Sequence, residues 1–187
     1  MLPENTMNLY LIGYRCTGKT TVGRSLVERL GWPMVDTDRV IVDAAGMSID
    51  RMVAACGWPF FRQRESEVLS RVAAGDRQVV ATGGGIVLDE RNRETMKTTG
   101  KVVWLTASET CIRTRMLADA ATDDNRPALT GRGLLAEIET VLAERTPLYE
   151  SIADLAIATD RVRIEAICDR IVEELGIEDG GRKRADG

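Results

Sequence analysis

Gly13-Tyr14-Arg15-Cys16-Thr17-Gly18-Lys19-Thr20 fits the spacing G-x-x-x-x-G-K-[ST] and lies between two contrasting patterns. Before it, Asn8 to Ile12 is an apolar run that reads as a strand. After it, Thr21 to Leu30 carries apolar residues at helical spacing. A strand, a glycine-bearing loop and a helix in this order make a phosphate cradle. Glycine permits the tight turn, the backbone N–H groups converge on an anion, and the helix N-terminus adds partial positive charge. Lys19 can reach terminal phosphates, and Thr20 offers a hydroxyl to Mg2+. Cys16 occupies a place where a small residue is common.

Outward from this loop, short apolar runs at 8–12, 33–36, 78–82, 101–106 and 154–158 alternate with helical stripes. Val22, Leu26 and Leu30 form one stripe, Leu135, Ile138 and Leu142 a second, and Ile164, Ile167, Ile171 and Leu175 a third. Alternating strands and helices predict a parallel sheet covered on both faces, a three-layer α/β/α fold. Ligands of such sheets sit beyond the carboxyl ends of the strands. The cradle follows the first run, Asp36 and Asp38 follow the second, and Gly83 to Gly85 follow the third, so all three are expected on one edge. The polar span 118–133, which holds Arg126-Pro127, reads as a lid loop between two helices. One domain is expected over 8–176, with disordered tails at 1–6 and 178–187.

Composition narrows the chemistry. The 187 residues are 44% hydrophobic and 29% charged, ordinary for a globular domain with its own core. A net charge of −4 argues against a general nucleic-acid binder. With no histidine in the chain, His triads, His metal sites and His bases are excluded. Proton transfer falls to a carboxylate, a lysine, a tyrosine or the substrate. Cys16, Cys56, Cys111 and Cys168 are scattered and form no C-x-x-C pair. Isolated thiols with no signal-peptide pattern fit a cytoplasmic protein. The last three are expected in apolar packing, whereas the cradle's amides would favour a Cys16 thiolate. No apolar run approaches a membrane span. No long apolar surface stripe remains once the core is assigned, so a monomer is expected.

Other residue sets carry possible chemistry. Asp36 could hold Mg2+ through water, and Asp38 could orient or deprotonate a hydroxyl; either could instead cap the next helix. Arg62 and Glu65 share a helix face, either as a carboxylate-gripping fork with its holder or as a solvated ion pair. Gly83-Gly84-Gly85 gives a bare backbone surface for a small polar ligand, or only a sharp turn. Arg126 and Arg145 are candidate clamps for anions.

Together these sets closely resemble the shikimate kinase family over residues 8 to about 175. The resemblance rests on the cradle, Asp36/Asp38, Phe61-Arg62-Gln63-Arg64-Glu65, Gly83–Gly85, Arg126-Pro127 and Arg145-Thr146-Pro147-Leu148-Tyr149, in that order. It implies a P-loop fold like that of nucleoside-monophosphate kinases, with a five-stranded parallel sheet in the order 2-3-1-4-5. It implies transfer of the ATP γ-phosphoryl group to the 3-hydroxyl of shikimate, on the pathway to aromatic amino acids. Under it, Asp38, Arg62, Gly83, Gly84, Gly85 and Arg145 bind shikimate, with Arg62 and Arg145 on its carboxylate. Nucleotide binding falls to Gly13, Arg15, Cys16, Thr17, Gly18, Lys19, Thr20 and Thr21, with Arg126 reaching in from the lid. Thr20 ligates Mg2+, with Asp36 behind water. Asp38, Lys19 and Arg126 carry the catalytic roles. Arg113 and Arg115 both qualify for stacking on adenine. The chain departs from the family in having Cys16 for a third loop glycine, Gly57-Trp58 before the Phe-Arg pair, and a longer lid. The rival expectations are a gluconate-type kinase of the same fold and a non-catalytic ligand sensor. The first would lack the set of Arg62, triple glycine and Arg145; the second usually loses the lysine or the acidic pair.

Overall fold

The computed structural model describes residues 7–119 and 137–178. Most of the expected lid, Arg126 with it, and the expected tails apart from Glu178 lie outside them. The first strand, β1 (Asn8–Ile12), is buried at every position, as a central parallel strand must be. It is followed by α1 (Lys19–Leu30), β2 (Met34–Asp36), α2 (Thr37–Ala45), α3 (Ile49–Ala73) and β3 (Val79–Ala81). A 3-10 turn at Ile86–Leu88 leads to α4 (Glu90–Thr99), β4 (Gly100–Thr106) and α5 (Glu109–Asp119). The described chain resumes before α6 (Ile138–Glu150), β5 (Leu155–Ala158) and α7 (Ile164–Leu175). The strands form one parallel sheet in the order β2-β3-β1-β4-β5, as expected.

Side-chain alternation along the strands builds two cores from one sheet. Leu9, Leu11, Val79, Val103 and Leu105 face one way, where α1 and α7 cover them with Val22, Leu26, Leu30, Ile167 and Ile171. Tyr10, Ile12, Val80 and Val102 face the other way, against Leu69 of α3, Met96 of α4 and Tyr149 of α6. Each side therefore buries a continuous apolar layer, and the sheet is left rigid. The α1 and α7 stripes read from the sequence are core; Ile138 is buried and Leu142 packs beside it, while Leu135 lies outside the described residues.

Two backbone features shape the site. Gly57 breaks α3 with φ 81° and ψ 166°, a conformation that glycine adopts readily. Pro59 then falls in the restarted first turn, where proline is tolerated, and Phe61 to Glu65 form a fresh helical segment. Cys16 adopts φ 60°, in the left-handed region. That geometry explains why glycine suits this loop position and why a small side chain can still stand there. The four cysteines form no disulfide; Cys168 is buried against the α1–α7 core, but Cys56 is exposed just before the helix break, contrary to the packing expected of it.

Candidate active site

Sheet topology brings the three sequence sets to one edge. Residues Gly13 to Gly18 join β1 to α1, Asp36 ends β2, and Gly83 to Gly85 follow β3. The contact between loop and turn is intimate: a Cβ on Gly84 would lie 3.2 Å from the Gly13 carbonyl oxygen and 3.5 Å from the Arg15 nitrogen. The phosphate cradle and the triple-glycine turn thus share one thin backbone wall.

The cradle is built to receive an anion. Gly18 stands at the α1 N-cap with φ 93°, and no side chain caps the helix there; its first turn carries no acidic residue. The amides of a helix N-terminus are the groups that a phosphate satisfies. Lys19 folds back over the loop, its ammonium donating to the Gly13 carbonyl at 2.8 Å and the Tyr14 carbonyl at 2.7 Å. The Thr17 hydroxyl donates to the Tyr14 carbonyl at 2.8 Å, which stiffens the turn. Arg15 makes an ion pair with the buried Glu137 at 4.0 Å, tying the loop to the start of α6. Thr21, next on α1, is exposed, while Val22 beside it in sequence is buried.

Beside the cradle, the Thr20 hydroxyl donates to Asp36 Oδ2 at 3.2 Å, while Asp36 Oδ1 accepts the Arg39 N–H at 3.2 Å. Asp36 therefore caps α2 and also stands next to Thr20. Among the described residues there is no group of three or more acidic or cysteine side chains that would hold a metal alone. One hydroxyl and one carboxylate beside a phosphate cradle nonetheless fit Mg2+, which keeps several waters and takes few protein ligands.

Around the glycine turn, four elements converge. Asp38 lies in the first turn of α2. A Cβ on Gly83 would come within 2.6 Å of both Asp38 Oδ1 and Glu65 Oε1, so these carboxyl groups flank that glycine. Arg62 pairs with Glu65 and lies 5.0 Å from the Trp58 ring centroid and 5.4 Å from that of Phe61. A Cβ on Gly85 would collide with the Arg62 guanidinium. From α6, Arg145 Nη1 donates to the Gly84 carbonyl at 3.1 Å. The Arg62–Glu65 pair is no solvated surface bridge, because Glu65 is only 1% exposed. Burial lifts its carboxyl to about 7, opposed by Arg62 and reinforced by Asp38. Glu65 Oε1 and Arg145 Nε are buried with no hydrogen-bond partner among the described residues. Buried polar atoms are rarely left in that state, and a polyhydroxylated acid is the kind of ligand that would satisfy both.

The two arginines proposed for adenine now differ in place. Arg113 is held by Glu109 at 2.8 Å on the same helix. Arg115 instead donates to the Cys16 carbonyl at 3.0 Å and to the Thr159 carbonyl at 2.8 Å, joining the cradle to the loop after β5. Residues not singled out from the sequence also enter the site. The Thr37 hydroxyl accepts the Gly83 N–H at 3.1 Å, and Tyr149 donates to the Gly84 carbonyl at 2.5 Å. Tyr149 stands inside the Arg145–Tyr149 segment, but a tyrosine in a helix carries no signal of its own; Thr37 sits between the two aspartates with nothing in the sequence to set it apart.

Comparison with known proteins gives the family. Residues 15–176 match the sequence profile of a family described as shikimate kinase. The shikimate kinase of Symbiobacterium thermophilum is 43% identical over 169 residues, covering 90% of this chain and 96% of that protein. Shikimate kinase 2 of Dickeya chrysanthemi is 43% identical, covering 88% and 94%. Among solved structures, Acinetobacter baumannii shikimate kinase in complex with shikimate superposes with a TM-score of 0.84 at 33% identity, covering 92% of this chain and 94% of that one. A gluconokinase from Sinorhizobium meliloti shares the fold alone, with a TM-score of 0.54 at 19% identity. The chain belongs to the shikimate kinase family.

Proposed function

We propose that the shared wall between cradle and glycine turn is where this chain transfers the γ-phosphoryl group of ATP to the 3-hydroxyl of shikimate. The observation that supports this reading is the closeness of Gly84 to Gly13 and Arg15, since a phosphate at the cradle and an acid at the turn would then be neighbours at one edge of the sheet. In-line transfer demands little covalent help from a protein; it demands that two substrates meet in register and that charge be neutralised.

Each residue then has a task. Lys19 and the amides at the start of α1 hold the β- and γ-phosphates. Thr20, with Asp36 behind water, would hold Mg2+, which neutralises charge on the phosphate oxygens. Arg62 and Arg145 approach the turn from different helices and grip the carboxylate of the acid. Asp38 faces the ring hydroxyls, orienting the one that reacts and accepting its proton as it leaves. Arg126, from the lid, adds positive charge over the phosphates. Arg115 takes the place beside the base in preference to Arg113, since it already bridges the cradle and the loop after β5. Arg15, Cys16, Thr17 and Gly18 shape the cradle, and Thr21 follows them on α1. The chain works as a monomer in the cytoplasm. Among the described residues no helix is long and apolar enough to cross a membrane.

ADP release from Mg-ATP with and without shikimate is the direct test. Shikimate-dependent release is expected, and gluconate and other polyols should give none. Release that follows gluconate and ignores shikimate would overturn the acceptor. The Lys19→Ala variant should lose roughly 10²-fold or more in kcat, the scale of removing one preorganised charge contact from a transition state. Wild-type turnover in that variant would refute the cradle's role.

A further inference from the structure

Three glycines in succession have little geometry of their own, so contacts from outside must set the turn. The structure supplies them. The Thr37 hydroxyl holds the Gly83 N–H at 3.1 Å, and the Asn92 amide donates to the Ile86 carbonyl at 3.1 Å. In between, two donors meet on the Gly84 carbonyl: the Tyr149 hydroxyl at 2.5 Å and Arg145 Nη1 at 3.1 Å. We propose that Tyr149 is a positioning residue for the acid site, fixing through the Gly84 carbonyl the peptide that stands between Arg145 and Arg62. The proposal rests on the assignment of shikimate to this turn.

The geometry gives Tyr149 that leverage. A peptide is planar and trans, so fixing the Gly84 oxygen also fixes the Gly85 N–H, which points the opposite way. Gly85 in turn presents its bare α-carbon to the Arg62 guanidinium. A carbonyl oxygen has two lone pairs, and here Tyr149 and Arg145 take both. Tyr149 is 1% exposed, and its ring stacks on Trp104 with centroids 5.8 Å apart, so the hydroxyl has one place to be. Burial pushes that hydroxyl up to about 12, which keeps it a donor at any working pH. Without it the Gly84 carbonyl would rest on Arg145 alone. The arginine proposed to grip the carboxylate would then also have to hold that carbonyl by itself.

Tyr149→Phe keeps the ring and the stacking and removes only the hydroxyl. Its effect is read as KM for shikimate, KM for ATP, kcat and Tm. Shikimate KM should rise about tenfold, the loss of one buried hydrogen bond, while ATP KM stays within about twofold. Ile152→Val, in the same core cluster, is the packing control; it should lower Tm and leave both KM values alone. An unchanged shikimate KM in Tyr149→Phe, or an equal rise in Ile152→Val, overturns the proposal while wild-type activity leaves the functional assignment standing. Wild-type protein that releases no ADP on shikimate addition would sink the assignment, and the proposal with it. A measurement on the wild type covers the case of a variant that does not fold. The Tyr149 hydroxyl proton should exchange slowly and shift in NMR when shikimate is added; rapid exchange with no shift overturns the proposal.

Discussion

Gly83→Ala tests the acid site with a single methyl group. The turn can accept alanine there, because Gly83 does not use the left-handed backbone reserved for glycine. The added Cβ would lie 2.6 Å from Asp38 Oδ1 and 2.6 Å from Glu65 Oε1. Ordinary carbon–oxygen contact is well beyond 3 Å, so each carboxyl must retreat by roughly 1 Å, the cost of overpacking a filled space. Asp38 and Glu65 are side-chain ends and can swing, which confines the stability loss to about 1–2 kcal/mol, or roughly 2–8 °C in Tm for a domain of this size. Function has no such latitude. A displacement of about 1 Å at a reacting group costs about 10²-fold in rate. The expected result is kcat/KM for shikimate down about 10²-fold, with the affinity for a fluorescent ATP analogue within about twofold of wild type. The assays are coupled ADP release and nucleotide titration on the same preparation. Retained kcat/KM together with retained Tm would show that Asp38 and Glu65 need not stand where they do. Matched loss of acid and nucleotide binding would show that the turn serves the fold and not the acid.

Two further outcomes are expected. The Glu65 carboxyl is raised to about 7 against an ordinary value near 4.5, so the native state binds more protons than the unfolded chain between those limits. Stability from this group is therefore full below about 4.5 and falls as pH climbs through about 7, by roughly 3 kcal/mol at most. Glu65→Gln should remove that slope, and a Tm-versus-pH curve parallel to wild type between pH 5 and 8 would refute it. Cys16→Gly should relieve the left-handed strain at Cys16 and leave Tm within about 3 °C of wild type with kcat retained, whereas Cys16→Val should lower Tm. Loss of kcat in Cys16→Gly would mean that the thiol itself is needed.

Much of the site was legible in the sequence because its signals are local. The cradle announces itself by spacing, and β1 and α1 by their periods; the resemblance then fixed the strand order. What stayed hidden depends on contacts between distant residues. Arg62 and Glu65, three apart on a helix, look the same in sequence whether solvated or buried; only the packing of α3 against the turn makes Glu65 a nearly inaccessible carboxyl. Arg113 and Arg115 are two residues apart on one helix, and which one meets the cradle depends on how α5 is rotated. The exposure of Cys56 follows from the break at Gly57, whose positive φ no composition rule foretells. Tyr149 enters the sequence reading only as the end of the Arg145–Tyr149 segment; its contact with the Gly84 carbonyl shows only in the fold.

The way the arginines are held bears on how a chain with a net charge of −4 could serve the two anions proposed for it. Arg115 is anchored by the carbonyls of Cys16 and Thr159, and Arg145 by the carbonyl of Gly84. A neutral carbonyl fixes a guanidinium without cancelling its charge, so these two arginines keep their full charge for an anion. Arg62 departs from this scheme, since a carboxyl holds it. That carboxyl is the one lifted to about 7 by burial. An anion arriving at Arg62 competes with Glu65 for the same charge and pushes the Glu65 carboxyl further toward its protonated form, which keeps the arginine for the ligand. Acid binding on this account takes up part of a proton near neutral pH, and shikimate KM should climb as pH rises through about 7 in the wild type but not in Glu65→Gln. Isothermal titration in two buffers of different ionisation enthalpy measures that proton directly, and a heat of binding independent of the buffer would exclude it.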